Sequence, residues 1–201
     1  ESRYPTVRLA TVGDISFSGR AAKTAAAMNY QVLLESITPL LRLADVAMGN
    51  LECTFAGKLV PGKMFAASPE AAVHLKKVGF NLIHLANNHI ADHGAAGLAA
   101  TLAAITQANL TPLGAGANSE ASKQLVVTEC RGLRIGWLGC GRSDHQQHED
   151  PRFWAFDPEE LKTAVSKHRG AVDVLVVSIH AGLMFLDYPR PQDHDLALEL
   201  L

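Results

Sequence analysis

Short, continuous apolar runs alternate along the chain with longer segments that carry apolar residues at helical spacing. The runs predict strands over residues 7–12, 46–48, 80–86 and 172–179. Residues 125–129 and 133–138 flank Arg131-Gly132, and this arrangement predicts a β-hairpin. Strands that are apolar throughout, rather than at every second position, are typical of sheets covered on both faces. The pattern therefore predicts an α/β protein.

Helix start and stop signals lie between these runs. Ser68 followed by Pro69 indicates the start of a helix that ends at Gly79, and Asp157 followed by Pro158 indicates another start. Apolar spacing predicts further helices over residues 30–43 (with Pro39 as a break or a start), 95–108 and 191–201.

Composition narrows the class of protein. The chain has 201 residues, of which 48% are hydrophobic and 19% charged, with a net charge of −2. These values exclude intrinsic disorder and predict a single domain over residues 1–201. The sequence has neither the basic run that nucleic-acid binding needs nor an apolar stretch long enough to span a bilayer. Three cysteines without a CxxC pair argue against a disulfide scaffold or a structural zinc site.

Polar side chains follow the ends of four predicted strands. Each has an ordinary structural explanation when taken singly, but the carboxyl ends of parallel strands form the crevice where α/β proteins bind ligands. Carboxylate, amide and imidazole groups together can bind a divalent ion of the Mn, Fe or Zn kind. The residues concerned are Asp14, Asn50 with Glu52, Asn87 to His89 with Asp92, and His180.

Four segments resemble the motif series of the CapA-type proteins of bacterial poly-γ-glutamate capsule biosynthesis. This family is similar in fold to the calcineurin-like metallophosphoesterases. The resemblance therefore implies a four-layer α/β/β/α sandwich with one or two divalent ions (Mn, Fe, Zn or Ca). The segments keep the family's order and spacing, and they are GDISFSGR at 13–20, GNLECTF at 49–55, FNLIHLANNHIADHG at 80–94 and VDVLVVSIHAG at 172–182.

The resemblance also implies roles for individual residues. His89 would face the reacting group, and Asp92 would orient its imidazole. Glu52 would be a bridging or outer carboxylate of the metal centre. The implied metal ligands are Asp14, Glu52, Asn88 and His180, and the residues expected to contact substrate are Asn50, Asn87 and Tyr188.

Two departures from the family pattern affect these expectations. Metallophosphoesterases usually carry Asp-x-His after the first strand, whereas the third position here is Ser16. CapA-type proteins share this loss, so one of two metals is expected to be weak or absent. The family also continues with a strand that ends in a Gly-His-His-Pro-His type motif, whereas this sequence ends at Leu201. We therefore expect a domain that is incomplete at its C-terminus.

Three functional hypotheses follow. The first is a metal-assisted hydrolase or transferase that acts on a phosphoester or on an amide bond of an anionic peptide or polyglutamate. The second uses the same metal site for epimerisation at a peptide α-carbon, with Cys53 as base or acid. The third is a non-catalytic module that binds or exports polyglutamate. It needs a basic surface, whereas the basic residues are dispersed among acids.

The cellular location and the oligomeric state stay open. CapA-type proteins resemble envelope proteins that are anchored by a segment before the domain. This sequence shows no such anchor, and its unpaired cysteines suit the cytoplasm.

Overall fold

The computed structural model of the protein describes residues 6–56, 65–143, 147, 149–183 and 185–201. The strands in this part of the chain are β1 (Leu9–Ile15), β2 (Val46–Leu51), β3 (Leu82–His84), β4 (Thr111–Leu113), β5 (Ala115–Gly116), β6 (Val126–Cys130), β7 (Leu133–Gly141), β8 (Arg152–Phe153) and β9 (Val174–His180). The α-helices are α1 (Gly19–Met28), α2 (Tyr30–Leu34), α3 (Thr38–Leu43), α4 (Ala71–Val78), α5 (Gly94–Gln107), α6 (Ser119–Ser122), α7 (Pro158–His168) and α8 (Pro191–Leu200).

Two sheets form the centre of the molecule. The first is fully parallel and has the order β1-β2-β3-β4. The second has the order β6-β7-β9, in which β6 and β7 form the predicted antiparallel hairpin and β7 and β9 run parallel. Arg131 and Gly132 at the hairpin turn both have positive φ angles, of 50° and 79°, as a two-residue turn of this hand requires. Strands β5 and β8 form a short separate pair.

Side chains alternate along the strands and so define four layers. In β2, Ala47 and Leu51 belong to the core shared with helices α2 to α5, whereas Val46 and Met48 face the second sheet. In β7, residues Ile135 and Trp137 face the first sheet. Leu138 and Cys140 lie on the opposite face of β7, where they pack against Leu161 and Val165 of α7. The four-layer α/β/β/α sandwich expected from the resemblance is confirmed.

Some elements differ from those predicted. The predicted helix over residues 30–43 is two short helices, and Pro39 lies in the first turn of the second, where a missing N–H costs nothing. Helix α1 was not predicted, because Met28 is its one large apolar residue and the other apolar positions are all alanine. Strands β2 and β3 are buried on both faces, but β1 and β9 lie at sheet edges and are partly exposed.

The two sheets approach each other most closely at the carboxyl ends of their parallel strands. On the inward face of β7, the bulky Trp137 is followed two and four residues later by Gly139 and Gly141. A Cβ atom on Gly139 would lie 2.8 Å from the Leu113 side chain, and one on Gly141 would overlap the carbonyl oxygen of Ala86. Glycine is therefore required here, and the close approach brings the end of β9 beside the ends of β2 and β3.

No helix in the described ranges has the length and apolar character needed to cross a membrane.

Candidate metal centre

The carboxyl ends of three strands bring two carboxylates and one imidazole together. Asp14 is the last residue but one of β1, Glu52 directly follows β2, and His180 is the last residue of β9 in the other sheet. The Nδ1 atom of His180 is 3.6 Å from Asp14 Oδ1, and its Nε2 atom is 3.7 Å from Glu52 Oε1. One ligand atom from each of the three residues lies within 4.8 Å of the other two.

Asn88 adds an amide oxygen to this group. Its Oδ1 atom is 2.8 Å from His180 Nε2. All four residues that the sequence predicted as metal ligands line one recess of about 600 Å³. Ser16, which stands at the position of the absent histidine, forms a hydrogen bond with the hydroxyl of Ser18 instead, at 2.8 Å.

Asn50 and Asn87 hold the predicted ligands in place. The Asn50 amide nitrogen donates to Asp14 Oδ1 at 2.6 Å and faces His180 Nδ1 at 3.1 Å. The Asn87 amide nitrogen donates to Asn50 Oδ1 at 3.0 Å and to the carbonyl oxygen of Leu51 at 2.8 Å. The Oδ1 atom of Asn87 accepts from the backbone N–H of His89 at 3.1 Å.

This network leaves Asn50 and Asn87 few hydrogen-bonding groups for the substrate contact that the resemblance implies, and that contact stays a prediction. Both side chains are buried, with Asn87 at 0% exposure, and their hydrogen-bonding groups face protein partners. An amide whose donors and acceptor are already paired inside the protein has little left to offer a substrate. The two asparagines instead orient Asp14 and His180.

The described geometry gives no support to the predicted roles of Tyr188 and Cys53. Tyr188 is 83% exposed, and neither Tyr188 nor His89 is among the described residues that line the recess. Cys53 is fully buried, and this burial raises the pKa of its thiol to about 11. A thiol with such a pKa stays protonated near neutral pH, so the structure argues against Cys53 as the base of an epimerase.

The charge environment of Glu52 favours a cation. Burial raises the pKa of the Glu52 carboxyl, and the nearby Asp14 carboxylate raises this pKa further, whereas His180 and His89 oppose the shift. Two carboxylates at such short range repel each other when both are ionised. A divalent cation between them would remove that repulsion.

His89 and Asp92 form the predicted pair. The Nδ1 atom of His89 is 3.1 Å from Asp92 Oδ2. The ring of Phe65 stacks on the His89 imidazole, with centroids 3.6 Å apart and planes 16° from parallel. No sequence pattern indicated Phe65, because it reaches His89 from a different segment of the chain. Together the two contacts fix both the position and the plane of the imidazole.

Two arginines line the recess that were not predicted. Arg142 directly follows β7, and its backbone N–H donates to the carbonyl oxygen of His180 at 2.8 Å. Arg190 directly precedes α8. A polar residue at the end of an apolar strand was the available signal for Arg142, whereas nothing in the local pattern marks Arg190.

The donor set fits a divalent transition metal. Two carboxylates, an imidazole and an amide oxygen are ligands that Mn, Fe and Zn accept, whereas Ca prefers a shell of oxygen atoms alone. Among the residues that the structure describes, Asp14, Glu52 and His180 form one such group of histidine and acidic side chains. This arrangement can hold an ion and leave room for a substrate in the recess.

Solved structures with the same fold are phosphatase-like. A phosphatase from Mycoplasma pneumoniae matches 88% of this chain and 56% of its own, with a TM-score of 0.53 and 18% identity. A Staphylococcus aureus protein assigned as a candidate 5′-nucleotidase, solved in complex with alpha-ketoglutarate, matches 88% of this chain and 37% of its own, with a TM-score of 0.57 and 17% identity. The protein therefore has a metallophosphoesterase-like fold.

The family follows from the sequence comparisons. Residues 8–201 match the family described as "Bacterial capsule synthesis protein PGA_cap", and the chain belongs to that family. It is 27% identical to the capsule biosynthesis protein CapA of Bacillus anthracis and 26% identical to the PGA biosynthesis protein CapA of Bacillus subtilis. Each of these alignments covers 92% of this chain, but only 49% and 52% of the respective relative. The chain thus spans about half the length of these curated relatives.

Proposed function

We propose that this chain carries a metal-dependent hydrolase centre of capsule biosynthesis, with one divalent transition-metal ion and an anionic phosphoester as substrate. The observation that carries the proposal is the meeting of Asp14, Glu52 and His180 from two different sheets within 4.8 Å. The amide oxygen of Asn88 would complete the set of ligands. A single ion is proposed because Ser16 replaces the histidine that would serve a second one.

A divalent ion in such a centre supplies Lewis acidity, which lowers the pKa of water and polarises a substrate oxygen. The protein's own contribution is rigid placement of the ligands. Asn50 restrains Asp14 and His180 at the same time, and Asn87 restrains Asn50. Such restraint keeps the ligand atoms in place before the substrate arrives, so that less reorganisation is needed during the reaction.

His89 is proposed to give a proton to the leaving group. Asp92 accepts from its Nδ1–H, which leaves Nε2 as the atom that exchanges a proton with the substrate. Phe65 holds the ring plane by stacking. His89 is close enough to Glu52 to influence that carboxyl's pKa, which is consistent with a place beside the metal centre.

The substrate class rests on two supports. Fold neighbours that are phosphatase-like favour a phosphoester. Relatives named for capsule biosynthesis favour an anionic peptide or polyglutamate, whose amide bond is the second candidate for hydrolysis. The metal chemistry is the same in both cases, because each reaction places negative charge on an oxygen that needs stabilisation.

The test is hydrolysis by the purified chain after loading with Mn²⁺ or Zn²⁺. We expect turnover of an alkyl phosphate such as glycerol phosphate, and a loss of about 10²- to 10⁴-fold in kcat for His89→Gln, because the departing alkoxide needs a proton and general acid catalysis typically contributes that much. His168→Gln on α7 is the matched control and should keep full activity. Turnover of a γ-glutamyl peptide but not of the phosphoester would favour the amide substrate. No turnover of either would contradict the proposal.

A further inference from the structure

Two guanidinium groups in the wall of the recess share one carboxylate. Arg142 Nη2 donates to Asp193 Oδ1 at 2.8 Å. Arg190 donates to the same carboxylate through Nε, at 2.8 Å to Oδ2, and through Nη2, at 3.0 Å to Oδ1. These bonds, above all those from Arg190, lower the pKa of Asp193, so its carboxylate stays charged. The group of three therefore carries one net positive charge.

The orientation of Arg142 is fixed by more than this ion pair. Its guanidinium lies over the Phe156 ring, 4.6 Å from the centroid. Its Nε atom is buried and has no hydrogen-bond partner in the described part of the protein. Its backbone N–H is bonded to His180, so the side chain starts directly beside the candidate metal centre. An arginine held in this way loses little further conformational entropy when it binds a ligand.

The charges of the recess are divided between two sides. Asp14 and Glu52 supply two negative charges on the metal side, and a divalent ion would neutralise them. The arginine side keeps its net positive charge. The loaded recess is thus positive as a whole, and an anion is the ligand that it fits.

We propose that Arg142 and Arg190, oriented by Asp193, form an oxyanion-binding subsite that selects substrates with a charged carboxylate or phosphate group next to the bond that is cleaved. This inference rests on the proposed function, because it places the subsite in the same recess as the metal centre. Guanidinium groups bind both kinds of oxyanion through paired hydrogen bonds, so the chemistry is shared. Two probes distinguish the two kinds of group: inorganic phosphate represents a phosphate, and glutarate represents a carboxylate.

A purely structural role for the three residues makes a different prediction. Asp193 lies in the first turn of α8, so the ion pairs could simply tie that helix to the end of β7. In that case, removing the carboxylate or either arginine would have the same consequence, a loss of stability without effect on anions. If the arginines bind an anion, removing the carboxylate frees both guanidinium groups, whereas removing an arginine takes away the ligand's partner.

The experiment is isothermal titration of each probe into the purified chain, in metal-free and Mn²⁺-loaded form. We expect Arg142→Gln and Arg190→Gln to weaken binding of at least one probe by about tenfold or more, while Asp193→Asn binds it at least as tightly as the wild type. Arg142→Lys, which keeps the charge but not the paired donors, should give intermediate affinity. Arg131→Gln is the matched control, because Arg131 also pairs with a single aspartate, Asp45, in a different part of the molecule.

Three results would overturn the subsite. These are no binding of either probe, unchanged affinity in both arginine variants, and equal weakening in Asp193→Asn and the arginine variants. A thermal melt of each variant shows whether it is folded; if an arginine-to-glutamine variant fails to fold, the lysine variant at the same position replaces it, and if Asp193→Asn fails to fold, Asp193→Glu replaces it. Arginine-dependent binding in a protein that holds no metal would support the subsite and contradict the metal centre, so the two failures are distinguishable.

Discussion

The two ends of the layer between the sheets have opposite characters, although the same strands form both. At one end Val46, Met48, Leu82, Leu113, Ile135 and Trp137 make a dry apolar cluster. At the other end the same inward rows of side chains continue as Asn50 in β2, His84 in β3, and Ser178 and His180 in β9. The change occurs within two residues along each strand.

This difference shows how one alternation of side chains builds both a core and a site. The apolar end is filled by large side chains, above all Trp137, whose indole N–H donates to Thr128 at 2.9 Å. At the polar end, Gly139 and Gly141 stand where large side chains would be. The two sheets therefore lie close enough for polar side chains of one sheet to form hydrogen bonds with those of the other. His84 marks the boundary, with its Nδ1 atom 2.6 Å from the hydroxyl of Ser178 in the opposite sheet.

The largest effect is expected from removing the side chain that fills the apolar end. Trp137→Ala should lower the free energy of unfolding by about 3–5 kcal/mol, because it leaves a cavity that the two sheets cannot close. Trp137→Phe should cost clearly less. Urea denaturation measures both. If Trp137→Ala lowered the free energy of unfolding no more than Trp137→Phe does, packing at the apolar end would contribute little to stability.

The second effect concerns the close approach at the polar end. Gly141→Ala should cost about 1–3 kcal/mol of stability, because its Cβ overlaps the Ala86 carbonyl and the sheets must separate. The same separation should weaken metal binding, because His180 pairs with Gly141 in the register of β7 and β9. The control is Gly170→Ala, since a Cβ there meets open space. Unchanged metal affinity in Gly141→Ala would show that the sheets need not meet for the site to form.

The third effect is a pH dependence that originates at His84. Burial lowers the pKa of this imidazole from 6.5 to about 3, so the folded protein keeps it neutral. Between pH 6.5 and about 3, His84 is protonated in the unfolded chain but neutral in the folded protein. Stability from this group is therefore complete above pH 6.5 and falls as the pH drops, by at most about 1.4 kcal/mol per unit.

His84→Gln tests this dependence. Glutamine can still bond to Ser178 but does not titrate, so the variant's unfolding free energy should fall less steeply than the wild type's between pH 6.5 and 4. Parallel curves for the two proteins would show that His84 is not held neutral by the sheets.

The smallest effect is expected at Cys53, which is buried beside the site but does not face the recess. Cys53→Ala should leave metal content and hydrolysis unchanged, with a modest loss of stability of about 1 kcal/mol from the smaller side chain. Measured loss of hydrolysis without loss of metal would return Cys53 to the mechanism.

Much of the fold could be predicted because it depends on local patterns. Apolar runs and caps gave the hairpin at Arg131-Gly132, the helix that begins after Asp157 and the strand that ends at His180. The ends of β1, β2 and β9 also placed polar residues at one edge. What local patterns cannot show is how two sheets face each other, and the contacts of Asn50, Asn87 and Phe65 depend on that packing.

The arginine pair illustrates the same limit. Arg142 and Arg190 come together only because α8 returns to the end of β7, and no periodicity in either segment encodes that contact. Gly139 and Gly141 lie beyond the strand predicted over residues 133–138, which the structure extends to Gly141. Their meaning became clear only when the opposite sheet was in place.

Metal content is the measurement that tests the central claim most directly. The purified chain would be loaded with Mn²⁺ or Zn²⁺, dialysed and analysed for bound metal, beside Asp14→Ala, His180→Ala and the control His168→Ala. We predict about one equivalent in the wild type and in His168→Ala, and loss of that equivalent in Asp14→Ala and His180→Ala, because these residues come from the two sheets that form the centre. Equal metal content in all four proteins, or none in any, would contradict a metal centre between the sheets.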